Sequence, residues 1–297
     1  MKIVSKAKVW IAIPLCIIVI GLIFGIINNG FNLGIDFKGG TLIHLNIGQP
    51  YDVGDIRSIL NQHGLDEAVV SGAGDGNTEV LIRMPNIPDE DRVSSAVIDD
   101  ISKQFQLAEK DILSVEKVGS VMSKELTQNA LLAVVLSCGF MLVYIWIRFE
   151  FKSGVAAIIA LVHDVLIIAA FLLIFRIQIN STFIAAVLTI IGYSINNTIV
   201  IFDRIRENTK KLRKCTIQEL TDKSIKQSVV RSINTSLTTL IVIVVLYILG
   251  VESIKEFALP IIVGIIAGTY SSLLIAGPIW AIWTNRSRTK KLAPQRK

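Results

Sequence analysis

The chain has 297 residues, of which 52% are hydrophobic and only 18% charged, with a mean hydropathy of +0.60 and a formal net charge of +6. That balance excludes an ordinary soluble domain and defines an integral membrane protein. No Walker A sequence and no nucleophile elbow occurs, so ATP hydrolysis and serine-hydrolase chemistry have no support and the chain reads as no enzyme.

Six apolar runs reach the about 20 residues that a helix needs to cross the hydrocarbon core: Val9 to Ile27, Ala130 to Ile147, Val155 to Phe175, Phe183 to Phe202, Val229 to Leu249 and Phe257 to Trp283. The first follows Lys2, Lys6 and Lys8 and meets no small-residue cleavage site before Asn28-Asn29-Gly30, so it reads as a retained anchor. Because short Lys/Arg-rich loops stay in the cytoplasm, the N-terminus is expected inside. So are the turn at Arg148 and Lys152, the turn from Arg204 through Arg213 and Lys214 to Lys226, and the tail holding Arg286, Arg296 and Lys297. Both termini then share one side, as six spans require. These same charges make up the net +6, and contact with anionic lipids accounts for them better than nucleic-acid binding. The expected organisation is residues 1–27 as the first span, 28–127 as an extracytosolic domain, 128–285 as the remaining five spans and 286–297 as a basic cytoplasmic tail.

Residues 28–127 are acidic and alternate between periods of 2 and 3.6. The expected elements are strand Thr41 to Ile47, helix Val53 to Gln62, strands Glu67 to Ser71 and Glu79 to Met84, helix Pro88 to Phe105 and strand Ile112 to Val118. This β-α-β-β-α-β order is the ferredoxin-like arrangement. The turn Gly72-Ala73-Gly74-Asp75-Gly76-Asn77 is rich in residues that tolerate positive φ, and Pro88-Asp89-Glu90 suits a helix start. The fold class is therefore an α-helical membrane protein of six spans with an α+β domain between the first two. Cys16 and Cys138 lie in spans and Cys215 in a basic turn, so the domain has no disulfide. His44, His63 and His163 are too scattered for a zinc site, and no cofactor is implied.

Polar residues inside the spans carry the functional signal, since hydrocarbon satisfies none of them. Asp164 sits about ten residues, roughly 15 Å, into the third span, and reads either as a hydrogen-bonded packing carboxyl or as a site of ion coupling or subunit contact. In the fourth span Ser194 and Asn197 lie three apart and Tyr193 and Asn197 four apart, a face expected to include Thr189 and Val200; Asn196 adjoins it. Arg231, Asn234, Thr235, Thr238 and Thr239 form a second polar face in the fifth span, with snorkelling of Arg231 the competing reading. Asp203 and Arg204 lie at the membrane exit, where local pairing is as good an account as function. Gly264, Gly268, Ser272 and Ala276 recur every four residues in the last span, a stripe suited equally to packing within the bundle or between subunits.

Four segments carry a resemblance: Leu33-Gly34-Ile35-Asp36-Phe37-Lys38-Gly39-Gly40-Thr41, His163-Asp164, the stretch from Gly192-Tyr193 through Asp203-Arg204 to Asn208, and Gly268-Thr269-Tyr270-Ser271-Ser272. In this order and spacing, over essentially the whole chain, they are similar to the SecF family of protein-export membrane subunits. The resemblance implies half of a resistance-nodulation-division-like bundle in a bacterial cytoplasmic membrane, paired with a SecD half beside the SecYEG channel and the SecA motor. It further implies use of the proton-motive force to move preproteins. One departure stands out: the family often has Asp at the position of Asn197, in a relay with the basic residue that matches Arg231. An amide does not titrate, so Asn197 is expected to orient water or Arg231 while a carboxylate of the SecD-like partner loads the proton. A small-molecule or lipid exporter half, and a structural translocon subunit without energy coupling, are the competing classes.

Overall fold

The computed structural model describes residues 2–74, 76, 78–148, 150–211 and 215–292. Asp75 and Asn77 of the expected turn, Arg213 and Lys214 of the basic turn, and Arg296 and Lys297 of the tail lie outside the described residues. In chain order the elements are α1 (Ala7–Ile27), α2 (Ile35–Lys38), β1 (Gly40–Asn46), α3 (Val53–Gln62), β2 (Val69–Ala73), β3 (Glu79–Met84), α4 (Glu90–Phe105), β4 (Ile112–Val118), α5 (Ser120–Arg148), α6 (Phe151–Phe175), α7 (Ser181–Lys211), α8 (Ile217–Leu249), α9 (Glu252–Ser271), a π-helical turn (Ser272–Ala276) and α10 (Gly277–Leu292). They form two compact units: Leu33–Leu132 with Ile179–Ser181, and Met1–Asn32 with Ala133–Gln178 and Thr182–Lys297.

The smaller unit is a four-stranded antiparallel sheet of order β2-β3-β1-β4, the ferredoxin-like topology. Alternation puts Ile43, Leu45, Val80, Ile82 and Met84 on one face, in register as Ile43↔Ile82 and Leu45↔Val80, and they are buried with Ile56, Ile59 and Leu60 of α3 and Val97 and Ile101 of α4. Asp52 caps α3 by accepting from the Gly54 amide at 2.8 Å. Three expected boundaries move by two residues, one of them the end of β2, which runs to Ala73 and takes Gly72 and Ala73 of the expected turn into the strand. β2 begins at Val69, because the Ala68 amide is tied back to the Leu65 carbonyl at 3.0 Å and leaves Glu67 and Ala68 in a turn. α4 begins at Glu90, because Asp89 sits at φ 55°, in the left-handed region, and breaks the helix after Pro88. Glu90 is buried there, accepting from the Thr41 hydroxyl, with Lys117 Nζ 3.7 Å away. The expected positive-φ turn is present at Gly74 and Gly76, at 73° and 75°.

Among the described residues six helices are long and apolar enough to cross a membrane, Val4–Ile27, Ser120–Ile145, Phe151–Phe175, Ser181–Lys211, Ile217–Leu249 and Ile254–Ser287, and apart from the second up to Leu132 and Ser181 of the fourth they lie in the larger unit. The third, fourth and sixth are the inner ones, 39%, 50% and 56% buried against 6% to 17% for the others, whose Leu, Ile and Val side chains face outward. The sixth is not one uniform helix. Pro278 has no amide hydrogen to offer the Leu274 carbonyl and its ring crowds that group; the wider π turn over Ser272–Ala276 lies just ahead of it. At the N-terminal end, the Ile3 and Val4 amides both donate to Asp222 Oδ1 of α8 at 3.0 Å, so a side chain 218 or more residues away caps the turn that leads into α1.

Two predictions arise from the smaller unit. Gly40 has φ 120°, and a Cβ there would stand 2.1 Å from the Met84 carbonyl oxygen. Gly40→Ala is therefore expected to cost about 2 kcal/mol or more, read as a lower midpoint in chemical denaturation. His63 Nε2 lies 3.0 Å from Asp100 Oδ2, and this hydrogen bond, aided by Lys103, holds the Asp100 carboxyl below its ordinary value. A depressed carboxylate stabilises the fold above its unfolded pKa, and that contribution fades as pH falls through the folded value. In His63→Ala the Asp100 titration, followed by side-chain carboxyl NMR, should move up toward the ordinary value.

Candidate intramembrane polar site

Asp164 is wholly buried in α6. A carboxylate without water costs several kcal/mol unless donors replace its hydration. Three do. His163 Nδ1 lies 2.9 Å from Oδ1, the Ser271 hydroxyl donates to Oδ2 at 2.9 Å, and the Ser194 hydroxyl donates to the same oxygen. The carboxylate thus joins α6, α7 and α9 at one point. Gly268 makes the approach possible, since a Cβ there would lie 3.0 Å from Ser194 Cβ; Gly264 performs the same service one turn away, with Ile190 at 2.4 Å. Ser272 and Ala276 are fully buried too, so the small-residue stripe is spent on packing within the bundle. His163 stacks on Tyr270, ring centroids 6.2 Å apart, and the Tyr270 hydroxyl donates to the Trp10 carbonyl of α1 at 2.7 Å.

A second cluster adjoins the first. Asn197 is buried, and its Nδ2 donates to Ser236 Oγ of α8 at 3.5 Å, while Ser236 is bonded to Thr269 Oγ1 of α9 at 2.6 Å. Ser224, Ser228, Ser232 and Ser236 are all buried, a four-residue spacing that lets α8 lie close to its neighbours. Toward the end of α7, Asn208 Nδ2 donates to Ser224 Oγ and Gln227 Oε1 at 2.8 Å each, Arg204 holds Gln227 and Glu207, and Asp203 pairs with Arg148 at 3.4 Å.

The remaining polar residues point the other way. Arg231, Asn234, Thr235 and Thr238 of α8 are exposed, as are Thr189, Gly192 and Asn196 of α7. The expected face joining Ser194 and Asn197 to Thr189 is therefore split: at about 100° per residue Ser194 and Thr189 are about 140° apart, and burying the first turns the second outward. The expected partnership of Asn197 with Arg231 is not made within the chain, where Asn197 holds Ser236. The Thr235 and Thr238 hydroxyls satisfy themselves on the carbonyls of Arg231 and Thr235, but among the described residues the Arg231 guanidinium has no hydrogen-bond or ionic partner. The buried Tyr193 hydroxyl is likewise without a partner among the described residues.

The glycine segment belongs to the smaller unit. The Gly34 amide donates to the Ile179 carbonyl at 2.9 Å, and Asp36 Oδ2 accepts from the amide of Ser181, the first residue of α7, at 2.7 Å. Asp36 is thus a helix cap. Gly39 and Gly40 carry the chain at positive φ into β1. Sequence reasoning missed Ser271 as a ligand of Asp164 and the pair Ser236–Thr269; the serine spacing along α8 was the available signal.

Six helices able to cross a membrane, one of them holding a buried carboxylate, with a ferredoxin-like domain between the first two in sequence, describe a multi-pass membrane protein. Residues 97–286 match the family described as protein export membrane protein SecD/SecF, C-terminal, and residues 24–49 match the SecD/SecF GG motif. The chain is 38% identical over 268 residues to protein translocase subunit SecF of Pseudomonas aeruginosa, covering 90% of this chain and 86% of that one. It is 38% identical to the SecF of Acidaminococcus fermentans over 291 residues, 96% and 98% of the two chains. The crystal structure of SecDF from Thermus thermophilus, a translocon-associated membrane protein, matches with a TM-score of 0.85 at 36% identity over 96% of this chain, which spans 39% of the longer SecDF chain. The chain belongs to the SecF family and is a multi-pass bacterial membrane protein.

Removing one donor from Asp164 should weaken the bundle without abolishing it. Ser271→Ala is expected to cost about 1–3 kcal/mol, seen as a lower melting temperature of the detergent-purified chain, while Ser287→Ala, far along the same span, leaves it unchanged.

Proposed function

We propose that this chain is a SecF-type accessory subunit of the Sec translocase, which works with a SecD partner and draws on the proton-motive force to promote preprotein export. The observation that carries the reading is the outward exposure of Arg231 and Asn234 on α8 and of Asn196 on α7, whose side chains have no partner among the described residues. Lipid tails offer these groups nothing, whereas a second half-bundle offers hydrogen bonds and a counter-charge. The SecDF relatives, in which both halves share one polypeptide, support such a pairing.

In this reading SecYEG and SecA stand beside the pair, both termini and the basic turns lie in the cytoplasm against anionic lipid, and residues 28–127 stand outside it. Asn197 does not titrate and is engaged by Ser236. The proton is therefore loaded on a carboxylate of the SecD-type partner, with Arg231 as its counter-charge, and the Asp164 carboxyl holds α7 and α9 in place through Ser194 and Ser271.

Depletion of the protein, followed by pulse-chase of a signal-peptide-bearing precursor with dye efflux measured in parallel, tests the reading. Unprocessed precursor should accumulate while efflux stays normal; normal processing with retained dye would instead indicate a small-molecule exporter. In complementation Asn197→Asp should leave export unchanged. A large gain would mean that the partner does not supply the missing carboxylate.

A further inference from the structure

A cavity of about 460 Å³ opens at the end of the larger unit that carries the basic turns, lined by Arg148, Glu150, Ser153, Phe202, Ile205, Arg206, Thr209, Lys210 and Trp280. Its size falls within the about 300–1,000 Å³ of small-ligand sites. Three cations face one carboxylate, Glu150, and they are not equivalent. On α7, Arg204 and Lys211 are spent on Glu207, at 2.6 and 2.5 Å. Arg148 is engaged with Asp203. Arg206 and Lys210, one turn apart, line the cavity and have no ionic or hydrogen-bond partner among the described residues.

Two further donors meet there. Glu150 starts α6, a helix of 25 residues, without a side-chain cap, and the first intrahelical bond is Gly154 to Glu150, so the amides of Phe151, Lys152 and Ser153 have no carbonyl within the helix. Ser153 is itself 8% exposed, lines the cavity and has a hydroxyl without a partner among the described residues. Phe202, Ile205 and Trp280 supply apolar wall, and Phe151 and Trp283 meet edge-on at the same end, as aromatic side chains do at headgroup level.

We propose that this cavity is a phosphate-binding site that holds the headgroup of an anionic phospholipid, with Arg206 and Lys210 as counter-charges and Ser153 with the first turn of α6 as neutral donors. The apolar wall and the aromatic pair favour a lipid over a free phosphate ion, and the cationic excess favours an anionic headgroup over a zwitterionic one. This site is independent of the polar face toward a SecD-type partner, so its failure would leave that reading untouched.

The test is native mass spectrometry of the full chain released from nanodiscs containing equal phosphatidylglycerol and phosphatidylethanolamine. The wild type should retain one phosphatidylglycerol in preference to phosphatidylethanolamine, and the double variant Arg206→Gln with Lys210→Gln should retain it about tenfold or more weakly. Lys223→Gln, which removes an exposed charge of α8 outside the cavity lining, should bind as the wild type does, and the melting temperature of each variant confirms its fold. Millimolar inorganic phosphate should not displace the lipid. Equal retention of both lipids, equal weakening by Lys223→Gln, or displacement by inorganic phosphate would each overturn the assignment.

Discussion

The bundle is organised by the cost of a carboxylate in a place without water. Asp164 cannot remain charged in the interior without donors, and the donors it uses come from its own helix and two others. That requirement fixes where α7 and α9 must cross α6, and the crossing is possible only because Gly268 brings α9 close enough for Ser194 and Ser271 to reach one oxygen. The glycines and serines of the last span therefore serve the charge as much as they serve close packing.

The same physics sorts several other polar side chains of the spans. Inward groups find partners within the chain, as Asn197 does with Ser236 and Asn208 with Ser224. Outward hydroxyls return to their own backbone, as Thr235 does, and outward Arg231 finds no partner among the described residues. Burial does not guarantee a partner: the Tyr193 and Ser232 hydroxyls are buried and unpaired among the described residues.

Much of this was legible in the residues. Span number followed from apolar length, and the ferredoxin-like order from alternation at Thr41–Ile47 and Glu79–Met84 against helical spacing at Val53–Gln62; the ends of β1, α3, β3 and β4 moved by one residue or none. Boundaries failed where a local backbone bond or angle decided them, at Ala68 and Asp89. In the membrane, sequence spacing identified polar faces but not their direction, because a helix that is apolar nearly all round carries no amphipathic signal to say which side is in. Thr189 was grouped with Ser194 for that reason. Ser271 escaped notice as a partner of Asp164 because 107 residues separate them and serine is common in membrane helices.

The π turn at Ser272–Ala276 acts as a phase shifter in the last span. An α-helix advances about 100° per residue, so a turn widened by one residue rotates everything after it by about that angle relative to an unbroken helix. Ser271 before the turn and Trp280 and Ala281 after it all end up inside the bundle. Two stretches, one meeting Asp164 and the other walling the basic cavity, are thereby set on a single rod at different angles. Evolution can retune the angle between them by inserting or deleting one residue in that turn, without touching either end.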